Sequence, residues 1–217
     1  MGKPDIIYED NDIIVCYKPA GIATQTRRIG QQDMESFIRN YRAAKNEPPY
    51  VGIVHRLDQP VEGVMVFAKN QKAAASLSRQ IKEHTTEKYY RAASRGQGVS
   101  GADKEEDNKE DNHDPAWHTL TDYISFDKRT NTSKITSEKD RQAKKAVLQY
   151  RILSNECNKT EFDIKLLTGR HHQIRLQLAN IGYPLIGDTK YGKPASNNSG
   201  TGNVAGRTGS CVREQLA

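Results

Sequence analysis

An α+β fold is what this sequence predicts, and two observations carry the prediction. Apolar, β-branched and aromatic runs of strand length outnumber the segments of helical periodicity. The two kinds of segment also fail to alternate regularly, as a doubly wound parallel sheet would require. There is no internal repeat, so each element is read on its own.

Residues 6–8 and 13–17 are β-branched and aromatic runs and predict the first two strands, the second ended by the turn Lys18-Pro19-Ala20-Gly21. Residues 36–45 predict a helix that stops before Pro48 and Pro49. Strands over 51–54 and 64–68 then flank a turn that holds Asp58. A helix over 71–83 places Ala74, Leu77, Ser78 and Ile81 on one face. Further strands are expected over 88–93, 119–125, 146–153 and 161–167. The last helix is expected over 171–181, where Ile174, Leu178 and Ile181 recur at helical spacing and Gly182 follows as a C-cap.

Two dense strings carry the chemistry. The first is Val54-His55-Arg56-Leu57-Asp58, which sets one carboxylate in a turn between strands, beside an arginine and before Pro60. About 110 residues later comes Leu167-Thr168-Gly169-Arg170-His171-His172-Gln173-Ile174-Arg175, followed by Gly187-Asp188-Thr189-Lys190-Tyr191-Gly192. Taken alone, an aspartate in a turn is a turn former bonded to its own backbone. The joint presence of both strings favours an enzyme.

On these strings, with Lys18-Pro19-Ala20-Gly21 and the set Lys88, Tyr90 and Ala92, the chain resembles the RluA family of pseudouridine synthases from residue 6 to about residue 192. The resemblance implies a mixed, mostly antiparallel central sheet with the active cleft across its middle, and isomerisation of uridine to pseudouridine in ribosomal or transfer RNA. Asp58 corresponds to the catalytic nucleophile, and Tyr90 to the tyrosine that lies against the target base. Arg175 corresponds to the cation that keeps a buried Asp58 ionised, against the desolvation that would raise its pKa. Arg56, Arg170, Lys190 and His55 are placed with the RNA contacts, and for His55 shaping the turn is the alternative. Gly169 and Gly187 are assigned to backbone geometry. The reaction needs no cofactor and no metal.

Two departures stand out. Most relatives carry a Ser-Gly pair after the catalytic aspartate where this chain has Glu62-Gly63, and a carboxylate there would raise the pKa of Asp58 if it pointed the same way. Many relatives also continue beyond Tyr-Gly with a further apolar strand, whereas residues 193–217 are rich in Gly, Ser and Asn. The expected organisation is a catalytic domain over 1–192, with no separate RNA-binding domain before it, and a flexible tail over 193–217. That tail leaves a sheet edge unpaired.

Composition agrees with an enzyme acting on a polyanion. The 217 residues carry a net charge of +6, and 35% of them are hydrophobic, enough for a sizeable core. Residues 96–115 hold seven acidic side chains against two lysines, a net of −5, so the rest of the chain carries +11. That stretch reads as a solvated, disordered loop and accounts for part of the low mean hydropathy of −0.82. The polar, charged start excludes a signal peptide, and no apolar run approaches a bilayer span. A monomer in the cytosol is expected, with RNA as partner and no membrane.

Cys16, Cys157 and Cys211 form no Cys-x-x-Cys pair and predict neither a disulfide framework nor a zinc site. His171 and His172 are adjacent, and on a helix adjacent side chains diverge by about 100°, unlike the i, i+4 pair of helical zinc sites. Two other function classes compete. One is an RNA-binding or ribosome-assembly factor that keeps the fold without isomerising, suggested by Glu62 and the absent final strand, and opposed by the retained Asp58, Tyr90 and Arg175. The other is a nucleoside hydrolase, in which Glu62 would be the acid and free uracil the product.

Overall fold

The computed structural model describes residues 4–28, 30–95, 116–156, 158–192 and 213–216. They fall into two compact units, one comprising residues 1–89 with 211–217 and the other residues 90–210. Residues 96–115, expected to form a solvated loop, lie outside the described residues, as do Cys157, Cys211 and 193–212 of the tail.

The first unit begins with an antiparallel hairpin, β1 (Asp5–Glu9) and β2 (Ile13–Lys18). Its turn is made by Asp10, whose Oδ1 accepts the backbone N–H groups of Asp12 and Ile13, both at 2.7 Å. Alternation along β2 sends Ile14, Cys16 and Lys18 inward, each fully buried. Helix α1 (Met34–Ala44) starts two residues earlier than its periodicity predicts, because Asp33 caps it: Oδ1 accepts from Ser36 N at 2.7 Å. Its inner face buries Met34 and Ile38, and also Arg42, whose guanidinium donates to Glu47 and to the backbone carbonyls of Tyr50 and Lys69.

Strand β4 (Glu62–Ala68) is central to this unit. β2 pairs antiparallel along one edge, from Ile13 opposite Ala68 to Lys18 opposite Gly63. The other edge takes β3 (Gly52–Ile53) against Ala68 and Phe67. Helix α2 (Gln71–Lys82) follows, capped by Asn70, whose side chain accepts from Ala73 N at 2.8 Å. It buries Ala73, and Ser78, expected on the inner face, is exposed. The tail departs from expectation at its end. Arg213–Leu216 forms β10, parallel to β4 with Arg213 opposite Glu62 and Glu214 opposite Gly63, so the half of the edge beyond β3 is paired.

The second unit is built from five strands. β5 (Lys88–Arg95), β6 (His118–Asp127), β7 (Thr132–Thr136), β8 (Lys144–Glu156) and β9 (Lys159–Leu166) lie in the order β5, β9, β8, β6, β7. The β6–β7, β6–β8 and β8–β9 pairs are antiparallel. Alternation buries Ala146, Leu148 and Tyr150 from β8 with Phe162 and Ile164 from β9. Fully burying one such side chain contributes about 1.5–3 kcal/mol. Phe162 meets Tyr150 and Tyr183 edge-on, with centroids 5.9 and 5.1 Å away. Helix α3 (Gln173–Asn180) is shorter than predicted, since His172 takes a left-handed conformation with φ 55° and becomes its N-cap. The expected C-terminal glycine is there: Gly182 has φ 91°, and Tyr183 N donates back to the Leu178 carbonyl at 2.8 Å. The two units confirm α+β architecture with largely antiparallel sheets.

Candidate active site

The Asp58 turn is held by its backbone. Thr24, which is buried, brackets Leu57: its Oγ1 donates to the Leu57 carbonyl at 2.9 Å and accepts from Leu57 N at 3.1 Å. Gly21 and Gln59 bond reciprocally, Gly21 N to the Gln59 carbonyl at 2.8 Å and Gln59 Nε2 to the Gly21 carbonyl at 3.0 Å. Val61 N closes the turn on the Asp58 carbonyl at 3.0 Å. His55 pins the start of the loop to β4, its Nε2 accepting from Val66 N at 3.1 Å.

Beneath the loop lies a cation that the sequence analysis assigned only to a turn. Lys18 is fully buried, and its ammonium donates to the carbonyls of Pro19 at 3.1 Å, Gln59 at 3.3 Å and Val61. Burial lowers its pKa to about 8, against the opposing charges of Asp58 and Glu62, so it remains mostly protonated at pH 7. The charges of both carboxylates therefore act on one buried ammonium. The alternating inward positions of β2, which read as an apolar face, conceal this lysine from pattern analysis.

His55 is given a different task from a phosphate contact. Burial, with the charge of Lys88 adding to it, depresses its pKa to about 4. A neutral ring whose Nε2 accepts a backbone N–H brings no positive charge to a phosphate. The sign of its effect on stability follows from linkage. The unfolded ring titrates near 6.5 and the folded ring near 4, so its stabilising share is complete above about pH 6.5 and is lost as pH falls to 4, at about 1.4 kcal/mol per pH unit. The stability difference between wild type and His55→Gln should therefore change over this window in urea unfolding curves. A difference that stays constant from pH 7 to pH 4 would remove His55 as a buried neutral group.

Arg56 is exposed and its Nη2 donates to Gln25 Oε1 at 2.7 Å. Gln25 is in turn held by Glu35 at 2.7 Å, which fixes the arginine's direction at the loop surface.

In the second unit, Tyr90 is buried on β5 at 9% exposure. Arg175, in the first turns of α3, makes a bidentate pair with Asp188: Nε to Oδ2 at 2.8 Å and Nη2 to Oδ1 at 2.7 Å. The sequence assigns its partner as Asp58; within its own unit the partner is Asp188, to which no role was given. The Asp188 side chain is 1% exposed, and Lys190 N and Tyr191 N also donate to its Oδ1 at 2.8 and 3.1 Å. Burial pushes this carboxyl up, yet the Arg175 and backbone bonds outweigh it and hold the pKa below the ordinary carboxylate value.

The Thr-Gly-Arg string is organised by Gln173, a residue pattern reading passed over. Its Oε1 accepts from Thr168 Oγ1 at 2.8 Å and Arg170 N at 3.0 Å, and its Nε2 donates to Gln177 Oε1 at 2.9 Å. Arg170 Nε donates to the Lys145 carbonyl at 2.9 Å, and Lys190 Nζ to the Asn131 carbonyl at 2.8 Å. Gly187, with φ 81°, needs its glycine. Gly169 does not need its own: a Cβ added there would meet nothing within 4 Å. Gly192 is the stricter case, since a Cβ would lie 2.6 Å from the Asp188 carbonyl oxygen.

His171 and His172 are not on the helix, so the argument from divergence does not apply. Their rings stack at 3.7 Å between centroids. His171 Nδ1 is 3.0 Å from Ser133 Oγ, and His172 Nδ1 is 2.8 Å from Tyr191 OH. Burial, then the charge of Arg175, lowers the His172 pKa to about 3. Among the described residues, no group of three or more His, Cys, Asp or Glu side chains is placed to hold a metal, and no helix is long and apolar enough to cross a membrane.

The family model described as RNA pseudouridylate synthase matches residues 12–180. An uncharacterized RNA pseudouridine synthase of Bacillus subtilis (strain 168) is 32% identical over 194 residues, covering 88% of this chain and 58% of that protein. A ribosomal large subunit pseudouridine synthase D of Borreliella burgdorferi is 32% identical over 197 residues, covering 87% of this chain and 54% of its own. The chain thus spans a little over half the length of these curated relatives. Among solved structures, human RNA Pseudouridylate Synthase Domain Containing 1 superposes with a TM-score of 0.70 at 23% identity, over 99% of this chain and 78% of that one. Human RNA Pseudouridylate Synthase Domain Containing 4 gives 0.66 at 21% identity, over 86% and 68%. These last two support the fold.

Proposed function

Because the chain belongs to the RNA pseudouridylate synthase family, we propose that it isomerises uridine to pseudouridine in RNA, with ribosomal RNA as the substrate class and Asp58 as nucleophile. In this reaction the C1′–N1 bond breaks, the uracil turns while bound, and C5 bonds to C1′. C5 gives up a proton and N1 gains one, so the product is an isomer and no redox partner is needed. Asp58 either adds to C1′ or stabilises the positive charge that develops there, as carboxylates do in glycoside hydrolysis.

The observation that carries the reading is the way the Asp58 turn is built. Its backbone is fixed by Lys18, Thr24, Gly21 and Gln59, so the residue that carries the carboxylate is held in place by the loop. The Lys18 ammonium lies beneath the loop, and the charges of both Asp58 and Glu62 act on it. For Tyr90 against the uracil ring and Arg175 as a catalytic cation, the support is the motif correspondence. Arg56, Arg170 and Lys190 are assigned to the RNA backbone, and their exposed or half-exposed positions suit that task.

The test is pseudouridine mapping in ribosomal and transfer RNA from cells with and without the gene. Loss of signal at discrete uridines of ribosomal RNA is expected. Loss confined to transfer RNA would move the substrate class, and identical maps would favour the non-isomerising RNA-binding factor.

A further inference from the structure

We propose that a groove on the second unit, between the β6–β7 hairpin and the loop leading into α3, binds an unpaired nucleotide of the RNA other than the one that reacts. The proposal rests on the RNA-directed reading above. The groove has a volume of about 910 Å³, at the upper end of the ~300–1,000 Å³ range of ligand sites. Three features of its lining define the ligand.

The first is charge. Lys128, Lys134 and Lys144 line the groove, are exposed, and make no ion pair among the described residues. Arg170 joins them with only its Nε committed, to the Lys145 carbonyl. Two carboxylates share the lining, Asp127 accepting from Arg129 N and Asp140 from Gln142 N and Thr136 Oγ1, and the charge of Lys134 acts on both, which leaves Lys128, Lys144 and Arg170. Cations remain in excess, and phosphates are what they suit.

The second feature is a prepared aromatic platform. Phe126 is 37% exposed, and it packs against His171 at 4.2 Å between centroids, which in turn stacks on His172. A part-exposed ring braced by a neighbouring ring offers a stacking surface for a base without requiring one sequence. The third feature is Ser125, which lines the same groove. It is 4% exposed, and its Oγ has no hydrogen-bond partner among the described residues. Buried hydroxyls are rarely left so. A base edge or a 2′-hydroxyl entering the groove would satisfy it. Cations alone would also accept a duplex, but the base face and the hydroxyl select an unpaired nucleotide, because the bases of a helix are stacked on one another.

The test uses the full chain and a fluorescein-labelled oligouridylate of about twelve nucleotides, with anisotropy titrations across a series of salt concentrations. This readout does not depend on isomerisation. Lys128→Ala/Lys134→Ala/Lys144→Ala should weaken binding about tenfold or more and reduce the slope of log K against log salt by about two, at ~0.7 per phosphate contact of a single strand. Phe126→Ala should weaken binding about fivefold or more with an unchanged slope, and Phe126→Trp should restore it. Wild-type affinity and slope in both the triple variant and Phe126→Ala overturn the proposal. So does equal competition by duplex RNA and by the single strand, or full competition by uridine monophosphate at the same nucleotide concentration. A chain that isomerises uridine but binds the oligonucleotide without regard to these four residues refutes the groove alone. A chain that binds through them but leaves every RNA unmodified refutes the isomerase reading alone.

Discussion

Asp58→Asn should lower pseudouridine formation by about three orders of magnitude or more while leaving the fold intact. The amide keeps the side chain's shape and removes its charge and nucleophilicity, whichever of the two routes the reaction follows. The turn should survive, because its hydrogen bonds run through the backbone: Val61 N to the Asp58 carbonyl, and Gly21 N and the Lys18 ammonium to the Gln59 carbonyl. Lys18 keeps its three carbonyl partners and loses only the field of one carboxylate, with Glu62 still acting on it. Single-turnover assays on RNA from cells lacking the gene, beside thermal melts of both proteins, make the measurement. Wild-type rates in the variant would take Asp58 out of the reaction. Release of free uracil by the wild type would replace isomerisation by hydrolysis.

Elements with strong apolar periodicity were legible in the sequence, and those without it were not. The strands over β2, β4, β8 and β9 follow from their β-branched and aromatic runs, and α2 from its helical spacing. β7 was invisible because Thr132–Thr136 buries only Ser133, so a polar ribbon is held by its pairing with β6 and not by an apolar face. β10 was invisible for the same reason: Arg-Glu-Gln-Leu has no pattern of its own, and it is backbone pairing with Glu62 and Gly63 that makes it a strand. Charged residues in the core form a third class. Lys18 falls in the turn string and Arg42 within the predicted helix, yet both are buried and donate to backbone carbonyls distant in sequence, Val61 for Lys18 and Lys69 for Arg42. Such a role depends on where distant carbonyls point, which no local window contains.

The candidate site divides along the same line. Asp58 and Arg175 stand out as residue types in long specific strings, so they could be named without coordinates. Their surroundings could not. The sequence pairs Arg175 by family correspondence, while Asp188, thirteen residues on, is close to it only because Gly182 ends α3 and Gly187 turns the chain back. Likewise, Gln173 reads as one more polar helix residue until the Thr168 hydroxyl and Arg170 N–H are seen to converge on its carbonyl oxygen.

Arg175→Met should cost about 3–5 kcal/mol of stability, because it leaves a carboxylate in the interior without its counter-charge. Asp188 is 1% exposed, and after the change its Oδ2 loses the Arg175 Nε–H, while Oδ1 retains only the N–H groups of Lys190 and Tyr191. Arg175→Lys should recover part of the loss, since an ammonium supplies the charge but not the two parallel N–H bonds. Linkage supplies a control that a simple packing defect would not pass. With Arg175 present, the Asp188 pKa lies below its ordinary value, so the stability this pair contributes is complete above the unfolded carboxylate pKa of about 3.9. It is lost as pH falls through the folded value. Without Arg175, burial is left to push the Asp188 carboxyl up, so the variant takes up its proton before the wild type does. The gap in unfolding free energy between wild type and Arg175→Met should therefore be widest near pH 7 and narrow steadily as pH falls toward 3. A variant that melts with the wild type at pH 7 would show the pair to be energetically idle. A gap that persists undiminished at pH 3 would assign the loss to packing of the arginine stem against Tyr191, whose ring lies 5.2 Å from the guanidinium carbon.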